Sequence, residues 1–158
     1  MYHTNAHVCI YVAYFGIYFA DVGAMGGAQP KWEKITNYYY SILFEPNKNS
    51  YKELINNKKE NEIIINSGLS NKQGKTVLNI CNSEGASSTF KPNYNFLKLF
   101  NDVERFNIKS NTNMKTDTLD NELFKNKIKD LDFMKIDVQG SELDVLKGSI
   151  NSLKSIIG

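Results

Sequence analysis

Short apolar runs recur along this chain, and most close on an acid, a glycine or a proline. Ile17-Tyr18-Phe19-Ala20 leads into Asp21, and Ser41-Ile42-Leu43-Phe44 into Glu45-Pro46. Phe133-Met134-Lys135-Ile136 leads into Asp137-Val138-Gln139-Gly140. An apolar run of about four to eight residues between such breakers fits a strand buried on both faces. The pattern predicts strands at about 17–22, 41–45, 61–66, 75–81, within 108–118 and at 133–137. Helices are expected at 30–37, 49–58, 96–100, 121–128 and 142–147, where apolar positions take helical spacing. Strands alternating with helices favour an α/β fold with a doubly wound, mostly parallel sheet. Right-handed crossovers then place helices on both faces. No internal repeat or Pro/Ser-rich linker divides the 158 residues, which suit one domain. Residues 1–16 read as an apolar N-terminal segment and 17–158 as the domain.

The densest signal is Asp21-Val22-Gly23-Ala24-Met25-Gly26-Gly27. Glycine lets backbone approach a ligand closely, having no Cβ and accepting positive φ. Nucleotide-type ligands sit at such strand-to-helix turns in open α/β sheets. Gly23 and Gly26 give G-x-x-G, short of the full dinucleotide fingerprint G-x-G-x-x-G. Glu45 closes the second strand roughly 20 residues past the first glycine, where an acid can accept hydrogen bonds from ribose hydroxyls. The plainer alternative is a solvated loop charge. Pro46 ends that strand, because it has no N–H for the ladder. After the strand at 133–137, Ser141 reads as an N-cap, with Asp144 completing a capping box. Leu143, Val145 and Leu146 supply that helix's apolar face, and Gly148 its stop.

Together these pieces resemble the FkbM family of S-adenosylmethionine-dependent methyltransferases. The likeness rests on DVGAMGG, FEPN, the Thr118-Leu119-Asp120 triplet and the long stretch FMKIDVQGSELDVLKG from Phe133 to Gly148. It runs from about Tyr18 to the end. Met25-Gly26-Gly27 departs from the family's Asn-x-Gly after the alanine, and Ala28 to Trp32 is unlike its usual helix start. The resemblance implies a Rossmann-like sheet of order 3-2-1-4, with the switch point between the strands ending at Asp21 and Asp137. It implies S-adenosylmethionine as cofactor. Gly23, Ala24 and Gly26 would lie along its methionine part and Asp21 would hold its amino group. Glu45 and Pro46 would meet the ribose, with Ser67 and Leu69 beside the adenine. Asp137, helped by Glu142, would act at the methyl, and the acceptor would be a hydroxyl of a sugar, glycan or small metabolite. For Glu142 the plainer reading is a first-turn charge favoured by the helix dipole. Ser87 and Ser88 would line the acceptor cleft or belong to a polar loop. No metal site is assigned. The family continues with further strands, and Ser155-Ile156-Ile157 reads as the start of the fifth. A C-terminally truncated domain is therefore expected, with an open sheet edge through which copies could associate.

Composition narrows the partners. The chain is 41% hydrophobic and 23% charged, ordinary for a globular protein. A net charge of +2 gives no case for nucleic acid or an anionic membrane. The apolar stretch from Val8 to Ala20 is too short to span a bilayer, and no Lys or Arg precedes it as in a secretory signal. Cys9 and Cys81 in separate apolar settings suggest buried thiols in a reducing, cytoplasmic compartment. His3, His7 and Cys9 lack a fourth ligand at zinc spacing. Two other readings stay open. One is a non-catalytic remnant of the same fold. The other is a nicotinamide-dependent oxidoreductase, against which stand the incomplete fingerprint and the acid ahead of the first glycine.

Overall fold

The computed structural model describes residues 16–27 and 38–157. The N-terminal segment before Gly16, the expected helix at 30–37 and the trio His3, His7 and Cys9 lie outside them. Four parallel strands form the central sheet: β1 (Ile17–Val22), β2 (Tyr39–Phe44), β3 (Glu62–Ile65) and β7 (Phe133–Ile136). Their order is β3-β2-β1-β7, as expected, so the order reverses between β1 and β7. On one face Ala20, Val22, Ile42 and Phe44 pack with Leu119 and Leu123 of α3 (Leu119–Lys125) and Val145 of α4 (Glu142–Lys147). On the other, Leu43 and Ala24 pack against Leu54 of α1 (Lys48–Asn56). Each large side chain so buried contributes about 1.5–3 kcal/mol. The two-sided burial is what the continuous apolar runs predicted.

The strands expected at 75–81 and within 108–118 exist, but they do not join the parallel sheet. β5 (Gly74–Cys81) pairs antiparallel with β6 (Ile108–Asp117), from Gly74 opposite Thr116 to Cys81 opposite Ile108. The two-residue β4 (Gly68–Leu69) adds to β6 in parallel, completing a second sheet of order β4-β6-β5. The physical reason is polarity. Ile-Lys-Ser-Asn-Thr-Asn at the start of β6 is too polar for a strand covered on both faces, and its residues are mostly exposed. An antiparallel pair tolerates one wet face.

Helix ends moved to where caps exist. Thr118 accepts from the Asn121 N–H at 3.1 Å, so α3 starts at Leu119, ahead of the expected Asn121. It closes before Ile128 because Lys127 turns left-handed at φ 59°. Asn93 caps α2 (Tyr94–Leu97), which begins earlier than the expected 96–100. Ser155-Ile156-Ile157 does not form a strand. The Ile157 N–H donates to the Asp132 carbonyl at 2.9 Å, and β7 borders only β1 among the described residues. No helix among the described residues is long and apolar enough to cross a membrane.

Candidate active site

A cleft of about 540 Å³ opens at the C-terminal ends of β1, β2 and β7, with β4 and the second sheet as its far wall. That size suits a small molecule or cofactor. Of the residues singled out in the sequence, Gly23, Glu45, Pro46, Ser67, Leu69 and Asp137 line it. Asp21, Ala24, Gly26 and Glu142 do not.

The first turn is built by lacing two strand ends together. The amides of Gly23 and Ala24 both donate to the Phe44 carbonyl at 3.1 Å, and the Asp137 amide donates to the Val22 carbonyl at 2.9 Å. Gly23 has φ 82°, and a Cβ there would stand 2.2 Å from the Asp137 carbonyl oxygen. Its missing side chain thus makes room for the crossing of the two loops. Gly26 differs. Its φ is 79°, yet a Cβ there would meet nothing within 4 Å, so this backbone faces open space. Ala24 is buried against Leu43 and Leu54 and acts in packing.

Asp21 is buried, and Lys135 Nζ donates to its Oδ1 at 2.9 Å and to the Gly23 carbonyl at 3.5 Å. Lys135 lines the cleft and was missed from the sequence. The available signal was a lone cation in an apolar strand, opposite Asp21 once β1 and β7 are aligned.

Glu45 is 4% exposed. Its amide donates to the Ile65 carbonyl at 3.1 Å, and its own carbonyl accepts from Asn66 Nδ2 at 2.8 Å. Burial pushes its carboxyl up from 4.5 to about 7, against the Asn47 N–H that donates to Oε1 at 2.7 Å. Repulsion from Glu84 and Asp21 adds to the rise. Ser67 and Leu69, which follow β3 and line the cleft, are also buried.

Asp137 is exposed at the cleft, where its Oδ1 accepts from Gln139 Nε2 at 2.8 Å. Gln139 is left-handed at φ 54°, a conformation that costs a non-glycine residue about 1–2 kcal/mol. The second sheet's loop holds it there, Ser88 Oγ donating to the Gln139 carbonyl at 2.7 Å.

The sequence matches the Methyltransferase FkbM domain over residues 21–157, which takes in both strand-end turns and the cleft between them. The chain belongs to the FkbM methyltransferase family. No curated protein and no solved structure matches it.

Within this FkbM domain some motif residues hold the fold. Thr118 caps α3, and Leu119 is fully buried. Asp120 accepts from the amides of Asn151 at 2.9 Å and Ser152 at 2.8 Å. Burial would raise its pKa, but those donors and the Ser152 hydroxyl hold it low. Glu142 accepts from the Gly140 amide at 3.0 Å, a bond that lowers its pKa and clamps the loop behind Asp137. The expected capping box does not form. The hydroxyl of Ser141 pairs with that of Thr89 at 2.7 Å, and Asp144 accepts from Asn71 Nδ2 at 3.0 Å. Both side chains face the cleft wall instead of the helix amides. Ser87 lines the cleft, whereas Ser88 is buried.

Proposed function

We propose that this FkbM domain binds S-adenosylmethionine in the cleft and directs its methyl group to a hydroxyl of a sugar, glycan or small metabolite. The observation that carries the reading is Glu45, a buried carboxyl opening into a cleft that also holds Asp137. The residues suit the cofactor. A carboxylate in that place accepts two ribose hydroxyl donors. Ser67 and Leu69 offer a mixed polar and apolar wall for adenine.

When bound, the cofactor supplies an activated methyl on a sulfonium. The protein's part is to orient the acceptor oxygen, and positioning of this kind can supply about 7–11 kcal/mol of the barrier. Asp137 would accept a hydrogen bond from the acceptor hydroxyl, turning a lone pair toward the methyl carbon, and would take the hydroxyl proton as the C–O bond forms and the methyl leaves the sulfonium sulfur. Gln139 fixes the Asp137 carboxylate, and Ser88 and Glu142 fix the loop.

Calorimetric titration with S-adenosylmethionine and with a nicotinamide dinucleotide tests the reading. Saturable binding of the first and none of the second is expected. Glu45→Ala should lower that affinity by tenfold or more, as loss of hydrogen bonds to a charged group does. Binding of the nicotinamide dinucleotide alone, or of neither, overturns the proposal.

A further inference from the structure

We infer that Lys135 holds the carboxylate of the cofactor's methionine, and that Asp21 is a positioning residue for Lys135 rather than a direct ligand contact. The inference rests on the S-adenosylmethionine reading above. Asp21 and Lys135 are register partners on the neighbouring strands β1 and β7. The alternate residues Ala20, Val22, Met134 and Ile136 pack in the core on one face, so Asp21 and Lys135 share the other. The Asp21 side chain is 2% exposed and does not line the cleft, whereas that of Lys135 is 28% exposed and does. The group shown to a ligand beside the first turn is therefore a cation.

An ammonium has three donors. Two go to Asp21 Oδ1 and the Gly23 carbonyl. The third has no partner among the described residues. A ligand whose amino-acid end carries both an ammonium and a carboxylate would meet repulsion if the ammonium lay here. The carboxylate gains a charge-assisted hydrogen bond instead. Asp21 contributes by holding the lysine stem over the turn, and the bond to the Gly23 carbonyl ties the cation to that backbone.

The test compares two nucleosides that share adenosine and a thioether. S-Adenosylhomocysteine carries the amino-acid end and 5′-methylthioadenosine lacks it. Affinities are measured by calorimetry on the full chain for the wild type, Lys135→Met and the neutral pair Asp21→Asn/Lys135→Met. The double variant removes both charges of the Asp21–Lys135 pair and reports if the single one folds poorly. We expect S-adenosylhomocysteine affinity to fall by tenfold or more in both variants, with 5′-methylthioadenosine affinity kept within twofold. Lys135→Arg should recover part of the loss. Equal losses for both nucleosides, or no loss for either, overturn the assignment of Lys135 while leaving the cofactor reading intact. A wild type that binds neither nucleoside overturns both.

Discussion

Glu45→Gln should stabilise the unliganded protein at neutral pH. The folded state keeps the Glu45 proton up to about pH 7, whereas the unfolded chain releases it near 4.5. Its contribution to stability is thus complete below pH 4.5 and is lost as pH rises through about 7. At about 1.4 kcal/mol per pH unit, the ionised carboxylate costs roughly 3 kcal/mol above pH 7. Glutamine is nearly the same shape, stays neutral, and its Oε1 can still accept the Asn47 N–H. The variant should match the wild type at pH 4 and lead by up to roughly 3 kcal/mol at pH 8, or about 6–12 °C in Tm for a chain of this size. Urea unfolding followed by circular dichroism at both pH values reads the difference directly. Other titrating groups act on both proteins alike, so the pH dependence of the difference isolates Glu45. A difference that stays constant with pH, or a variant less stable at pH 8, would refute the argument that burial penalises this carboxylate. The same variant should bind S-adenosylmethionine more weakly, having lost an acceptor and a charge.

Three further outcomes follow from the geometry. Gly23→Ala meets both a left-handed φ and the Asp137 carbonyl, and should cost more than about 2 kcal/mol in urea unfolding, while Gly26→Ala meets only the left-handed φ and should cost about 1 kcal/mol; equal costs would contradict the crossing described above. Asp137→Asn should cut turnover at least tenfold with cofactor affinity nearly unchanged, and equal loss of both would show a structural role. Lys125→Met removes the cation that, with Asn121 and the Thr118 N–H, holds the buried Asp117 carboxyl below its ordinary value despite burial. A loss of about 1 kcal/mol at pH 7 is expected, fading as pH falls through the Asp117 pKa, and a loss that persists in acid would point to packing instead.

Alternation and strand ends carried most of the fold in the sequence. Runs such as Ser41-Ile42-Leu43-Phe44, alternating with helical stretches, fit strands covered on both faces in a parallel sheet with helices on each side, and the structure has that sheet. The acids and glycines that close those runs sit at the C-terminal strand ends, so the place of the cleft, and Glu45 and Asp137 in it, were legible. Three things were not, because each depends on which segments meet in space. The polar β6 could have been an edge of the main sheet, and only its pairing with β5 made it a second one. Gly23 lines the cleft as its motif suggested, but its need for glycine shows only when the chain returns more than a hundred residues later and lays the Asp137 carbonyl against it. That Asp21 is buried and paired with a lysine shows only once β7 sets Lys135 beside it. Local sequence determined the elements, their order of burial and the chemistry at their ends. Tertiary structure decided which of those groups face the cleft and which neutralise one another, since hydrogen bonds and charge pairs are set by distances that no local pattern encodes.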